Sequence, residues 1–289
     1  MIKIATLLAA VILSWMSVSV PSVAAPLWIE KSLIPDPDLI DARLAVGGQT
    51  GGGTVDHAPF AGFLDTYLVS GADGVNRLRY GSVSTDDRNA LGAYVEALET
   101  IFPSTLSEAE QVAFWINLYN AQTILSVLDA YPVDSIRKIG GVWADQIVTV
   151  DGIDLSLGDI EHHILRASFG DPRLHYALNC ASIGCPNLQP VPFSGAVLEE
   201  QLDGAAREYI NHPRGVRIDD DGDVIGSKIF GWYKVDFGGS RKKVIEHILQ
   251  FAGPELSEGL EGAKKINDYK YDWTLNDQAI SETVNSDTD

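Results

Sequence analysis

The stretch TLSEAEQVAFWINLYNAQTILSVLDAYP, residues 105–132, predicts a long helix that organises the rest of the fold. Ser107 is a typical helix N-cap, and Glu110 follows three residues later, as in a capping box. Pro132 marks the other end, because proline cannot continue a helix. The apolar residues between these signals occupy more than one face of the helix. We therefore expect the helix to lie at the centre of the domain and to be buried.

Two asparagines, Asn117 and Asn120, interrupt this apolar helix and share one of its faces, because they lie three residues apart. A buried amide without hydrogen-bond partners costs about 1–3 kcal/mol, so each side chain must meet polar groups. One interpretation is that the two amides bind backbone groups of neighbouring loops. The other is that they position catalytic groups or substrate. The sequence leaves both open.

Shorter elements flank the central helix. Two helical patterns precede it, and Asp151-Gly152, a dipeptide favoured in hairpin turns, separates two short β-like runs. A further amphipathic helical pattern spans Leu198 to Ile210, and residues 216–230 indicate a second hairpin. These elements predict an α+β fold, a single domain in which several helices pack around a small, mainly antiparallel sheet.

The helical segment SLGDIEHHILRAS, residues 156–168, has an acid where an apolar residue is expected. Glu161 falls inside the apolar stripe that includes Leu157 and Ile160. A carboxylate that faces the core needs a cationic or hydrogen-bond-donating partner, or its pKa rises and it stays protonated. Glu161 is therefore the most informative acid in the chain, and His162 lies beside it at the edge of the stripe.

Both cysteines lie in LHYALNCASIGCPNL, residues 174–188, which predicts a short strand ending near Cys180 and a loop that contains Cys185. Three interpretations stay open. Cys180 could be a nucleophile with a histidine as its base and Glu161 as the group that orients the imidazole. The two cysteines could instead form a disulfide, or could bind a metal ion together with a histidine.

The choice of base depends on geometry. In a straight strand, His175 and Cys180 would lie about 16 Å apart and on opposite faces, so His175 requires a bent chain. His162 is free of this objection because its helix can dock beside the cysteine. Adjacent helix residues point about 100° apart, however, so Glu161 is better placed to meet His175 than His162. Both histidines remain candidates.

The N-terminus predicts export. Residues 1–24 combine one lysine, an apolar run and small residues near their end, which is typical of a secretory signal peptide. We expect a periplasmic or extracellular protein with a flexible lead-in at 25–54, one domain at 55–276 and a disordered tail at 277–289. The formal net charge of −19 disfavours nucleic acid and anionic lipid surfaces as partners. We expect no cofactor and, after signal cleavage, no membrane association.

Five motifs in the chain resemble the domain-of-unknown-function family numbered 547. They extend from the central helix to the C-terminal region in the order typical of that family. The motifs are AFWINLYNA (113–121), IEHHILR (160–166), DPRLHYALNCASIGCP (171–186), SKIFGWYKVDFGG (227–239) and YDWTLN (271–276). The resemblance nominates as site residues Asn117, Asn120, Glu161, His162, His175 and Cys180.

This family looks distantly similar to the papain and transglutaminase group of α+β thiol enzymes. The similarity implies an amide or thioester hydrolase, or an acyl transferase, with a permuted order of Cys180 and its partners. Our first functional hypothesis is thus a thiol-dependent hydrolase or acyl transferase acting on a small-molecule or peptide-like substrate. The alternative is a noncatalytic binding module with a structural disulfide between Cys180 and Cys185.

Overall fold

The computed structural model describes residues 27, 30, 34–41, 43–44 and 52–280. The predicted signal peptide, residues 1–24, lies outside the described residues, as does most of the predicted tail. In chain order, the α-helices are α1 (Ala58–Tyr67), α2 (Thr85–Glu99), α3 (Glu108–Ala130), α4 (Arg166–Phe169), α5 (Leu198–Asn211), α6 (Ile229–Trp232), α7 (Arg241–Phe251) and α8 (Pro254–Gly259). The strands are β1 (Leu68–Ser70), β2 (Asn76–Leu78), β3 (Val148–Val150), β4 (Ile153–Leu155), β5 (Val216–Ile218), β6 (Val224–Ser227) and β7 (Asp268–Lys270).

The α+β class predicted from the sequence is confirmed, with the strands divided among small separate sheets. β1 pairs with β2 and β3 with β4, both antiparallel. In the remaining sheet, β5 and β6 are antiparallel, whereas β6 and β7 are parallel. The β3–β4 turn is formed by Asp151 and Gly152 at φ values of 51° and 72°, the left-handed conformation that a two-residue hairpin turn demands.

The central helix α3 is buried along most of its length, as its apolar faces predict. The Ser107 hydroxyl accepts a hydrogen bond from the Glu110 amide at 3.3 Å, which confirms the predicted N-cap. The capping box also predicts a reciprocal bond from the Ser107 amide to the Glu110 carboxylate, and this part of the prediction is wrong. The Glu110 carboxylate accepts instead from the amides of Val55 and Gly195, both at 2.8 Å, and so ties the helix start to two distant loops.

The segment around His175 differs from the strand that the sequence predicts. Pro172–Tyr176 form a 3₁₀ helix, and the Asp171 carboxylate caps it by accepting from the Arg173 amide at 2.8 Å. An acid followed by a proline is a helix-start signal, and it prevails here over the alternation of polar and apolar residues. The chain between His175 and Cys180 is therefore bent rather than straight.

The buried side chains form two hydrophobic clusters. The first surrounds α3 and includes residues of α1, α2 and the β3–β4 hairpin. The second lies between α5, α7 and the β5–β6 hairpin. Trp273 packs against both clusters, so the C-terminal segment bridges them. The two clusters thus meet at the cavity described below.

Parts of the predicted lead-in contact the domain. Leu44 is fully buried in the first cluster, and its carbonyl accepts from the Trp115 indole at 3.3 Å. Glu30 forms an ion pair with Lys228 at 2.7 Å. At the other end, Asp277 is buried and accepts from the Tyr131 hydroxyl at 2.8 Å. None of the helices in the described part of the chain is long and apolar enough to cross a membrane.

Candidate functional site

A cavity of about 430 Å³ lies where the two hydrophobic clusters meet. Its volume is within the range of small-molecule sites, which is about 300–1,000 Å³. Six aromatic side chains make up much of its wall, namely Tyr119, Trp143, Trp232, Tyr233, Tyr271 and Trp273. Of the six predicted site residues, four line this cavity: Glu161, His162, His175 and Cys180.

Glu161 is buried, as predicted, and two tyrosine hydroxyls donate to its carboxylate. The Tyr233 hydroxyl lies 2.5 Å from Oε1 and the Tyr119 hydroxyl 3.2 Å from Oε2. Burial by itself would raise the pKa of this carboxyl, but the positive charge that His162 carries at acidic pH, the Tyr233 hydrogen bond and the charge of Arg166 together hold the pKa below its usual value. Glu161 therefore carries a negative charge at neutral pH.

The helical segment that carries Glu161 is widened into a π-helical turn over Asp159–Leu165, which continues directly into α4. His162 Nδ1 lies 4.0 Å from Glu161 Oε1, beyond hydrogen-bond distance. Arg166 donates to the same nitrogen at 3.1 Å, so Nδ1 is the acceptor and Nε2 carries the proton. Burial lowers the pKa of His162, which leaves the imidazole neutral at pH 7.

His175 is held by an acid that the sequence did not nominate. Its Nε2 donates to Asp236 at 2.7 Å, and its ring stacks on Tyr233 with 4.0 Å between the ring centroids. Arg166 donates to both oxygens of Asp236, at 2.6 and 3.1 Å. Burial opposes ionisation of Asp236, but the bonds from His175 and Arg166 outweigh it and hold the pKa of this carboxyl well below its usual range.

Cys180 and Cys185 form a disulfide, one of the three interpretations left open by the sequence. The Tyr271 hydroxyl lies 3.1 Å from each of the two sulfur atoms, and the Cys180 amide donates to the Cys185 sulfur at 3.0 Å. Both cysteines line the cavity. In this oxidised state neither sulfur is a thiolate, so neither can act as a nucleophile or a metal ligand.

The metal interpretation has no support in the part of the chain that the structure describes. That part contains no group of three or more histidine, cysteine or acidic side chains able to hold a metal ion. The hydrogen bonds also do not support the hypothesis that Glu161 orients the catalytic base. Glu161 is bound by tyrosines, whereas His175 is oriented by Asp236.

The two asparagines of α3 bind backbone groups and do not line the cavity. Asn117 donates to the Phe193 carbonyl at 2.8 Å and accepts from the amide of the same residue at 2.9 Å. Asn120 donates to the Ala177 carbonyl at 3.0 Å and accepts from the Asn179 amide at 2.8 Å. These contacts correspond to the first interpretation of the pair, and Asn120 fixes the backbone just before Cys180.

Sequence reasoning missed several residues that shape the site, among them Tyr119, Tyr233, Asp236 and Tyr271. Each of these four lies inside one of the motifs that carried the family resemblance. Tyr119 and Tyr233 were available as donors for a buried acid, and Asp236 lies between Val235 and Phe237 as a lone acid. A search for partners of Glu161 and His175 within those motifs would have found them.

Residues 103–210 match the model of a family described as protein of unknown function, DUF547. The match covers α3, the Glu161 segment and both cysteines, and it confirms the resemblance inferred from the sequence for the three of the five motifs that lie within these residues. No curated protein and no solved structure matches the chain. The more distant similarity to papain and transglutaminase enzymes stays a prediction.

Proposed function

We propose that this protein binds a small organic molecule in the aromatic cavity, with the Cys180–Cys185 disulfide as part of the cavity wall. The observation that carries the proposal is the composition of that wall. It combines six aromatic side chains with the buried carboxylate of Glu161 in a volume of about 430 Å³. Binding sites for small molecules are typically apolar cavities with a few convergent polar groups.

The disulfide favours binding over thiol chemistry. It occupies both cysteines of the chain, and among the described residues the hydrogen-bond partners of the Cys180 sulfur are Tyr271 and Ser182 rather than a histidine. The two bases proposed from the sequence are engaged elsewhere, His175 with Asp236 and His162 with Arg166. Catalysis by Cys180 would require reduction of the disulfide and a new partner for one of these rings.

A thermal-shift screen with a set of small fragments tests the proposal. A fragment present at one hundred times its Kd stabilises the folded state by about 2.7 kcal/mol, which raises the Tm of a domain of this size by roughly 5–10 °C. Ala144 is exposed and lines the cavity, so Ala144→Trp should obstruct it with little effect on folding. We expect the shifts in the wild type to be lost in this variant.

The matched control is Ala93→Trp, which adds the same side chain to an exposed position of α2. This variant should keep the fragment-induced shifts. The proposal is wrong if no fragment raises the Tm of the wild type, or if the shifts persist undiminished when Ala144 is replaced by tryptophan.

The second candidate is the thiol-dependent hydrolase or acyl transferase. It is favoured by one observation, which is that Cys180, His162 and His175 all line the same cavity. This function requires that a dithiol reductant first supply two electrons and two protons to the disulfide. It predicts that Cys180 is a free, reactive thiol in the protein's native setting.

A further inference from the structure

Glu161 places a negative charge in the cavity wall without a hydrogen-bonded cation. Its carboxylate accepts from two neutral hydroxyls, those of Tyr119 and Tyr233, and among the described residues no lysine or arginine pairs with it within 4 Å. His162 lies 4.0 Å away and is neutral at pH 7. The positive charge of Arg166 acts on Glu161 only through space, so no lysine or arginine in the described part of the chain contacts the carboxylate, and an added cation would supply that direct contact.

The cationic groups around the cavity have other partners. Arg166 donates to both oxygens of Asp236 and to the Pro35 carbonyl at 3.0 Å. Arg137 is exposed, and its guanidinium carbon lies 5.2 Å from the centroid of the Trp273 ring. Neither guanidinium is hydrogen-bonded to Glu161.

A second carboxylate, that of Glu30, also lines the cavity. Its Oε2 accepts from Lys228 at 2.7 Å and from the Trp232 indole at 3.2 Å. Its Oε1 is buried and, within the described part of the chain, has no hydrogen-bond partner. An orphaned carboxylate oxygen at a cavity wall is an acceptor that a hydrogen-bond donor on the ligand would satisfy.

We propose that the ligand of this cavity is an organic ammonium cation, held against the aromatic ring faces with Glu161 as its counter-ion. The inference rests on the proposed binding function and specifies its ligand class. Ring faces of tryptophan and tyrosine carry negative electrostatic potential and attract cations within about 6 Å of their centroids. Glu30 adds an acceptor for a hydroxyl or N–H group elsewhere on the same ligand.

The sharpest test compares two probes that have nearly the same shape but differ in charge, so that only one of them is expected to bind tightly. Choline carries a quaternary ammonium group, and 3,3-dimethylbutan-1-ol replaces its nitrogen with carbon and removes the charge. Each is titrated by calorimetry into the wild-type protein at pH 7. We expect choline to bind at least ten times more tightly than the neutral alcohol. This comparison needs no variant and so does not depend on whether a mutant folds.

Glu161→Gln supplies the second arm, because its side-chain oxygen can still accept from one tyrosine while its charge is removed. We expect the Kd for choline to rise at least tenfold in this variant, with the weak affinity for the alcohol unchanged. The matched control is Glu96→Gln, which removes one charge from an exposed position of α2 and should leave both affinities as they are.

The outcomes separate this inference from the binding function on which it rests. If the neutral alcohol binds as tightly as choline, or if neither probe binds while other fragments still raise the Tm, the cation assignment is overturned and the binding function stands. If Glu161→Gln and Glu96→Gln weaken choline binding equally, Glu161 is not the counter-ion. If no probe or fragment binds at all, both proposals fail.

Discussion

His247 is a buried imidazole in the second hydrophobic cluster. Its Nε2 is hydrogen-bonded to the Tyr176 hydroxyl at 2.9 Å, and its ring packs against Phe237 and Phe251. Burial, and secondarily the charge of His175, lower the pKa of His247 to about 4. The folded protein therefore excludes a proton that the unfolded chain binds below its ordinary histidine pKa of about 6.5.

The sign of the pH dependence follows from this difference. Between about pH 6.5 and pH 4 the unfolded state holds one more proton at this residue, so stability falls as pH falls, by about 1.4 kcal/mol per pH unit. We predict that His247→Gln, which keeps a hydrogen-bonding group for Tyr176 but does not titrate, reduces the slope of unfolding free energy against pH by that amount. Urea unfolding at pH 4.5, 5.5 and 6.5 measures the slope, and an unchanged slope would contradict the assignment.

At the same scale, the burial of Glu161 could be predicted from one sequence pattern, whereas its partners could not. An acid in the apolar stripe of a helix is buried when that stripe packs on the core, and the stripe is defined by residues that are close in sequence. Its donors, Tyr119 and Tyr233, lie 42 and 72 residues away in the chain, and Asp236 lies 61 residues from His175. Contacts of that sequence separation depend on how the elements pack, which periodicity does not encode.

At the scale of elements, helix α3 joins the core to the loops that shape the site. Its N-terminal carboxylate Glu110 binds Val55 and Gly195, and its two asparagines bind loops on either side of the cysteines.

The ends of α3 and the Asp151-Gly152 hairpin were predictable because caps and turns depend on a few adjacent residues. The strand predicted over Pro172–Tyr176 is wrong, because a 3₁₀ helix this short has too few residues to establish a period in the sequence.

Asn117 provides the test of this structural role. Asn117→Ala removes both hydrogen bonds to Phe193 and leaves a buried amide and carbonyl unpaired, each of which costs about 1–3 kcal/mol. We predict a loss of unfolding free energy of about 2–6 kcal/mol, the sum of these two costs, measured by urea denaturation. Asn89→Ala, at an exposed position of α2, is the control and should change stability by no more than about 0.5 kcal/mol. Equal effects of the two substitutions would show that Asn117 does not support the loop.

At the scale of the whole molecule, the site exists because two hydrophobic clusters meet without filling the space between them. The first cluster contributes Tyr119, the second contributes Trp232 and Tyr233, and the described N-terminal residues add Glu30 and Pro35 to the wall. The sequence predicted the α+β class and the convergence of Glu161, His175 and Cys180. The cavity itself was beyond prediction, since it arises from the space left between packed units rather than from any one of them.

Peptide mass spectrometry after thiol alkylation, on protein purified in its native state without reductant, tests the central claim most directly. That claim is that the cavity has a closed disulfide in its wall rather than a reactive thiol. We predict that neither cysteine is alkylated and that Cys180 and Cys185 are recovered in one disulfide-linked peptide. Rapid alkylation of Cys180 under these conditions would contradict it and favour the thiol enzyme.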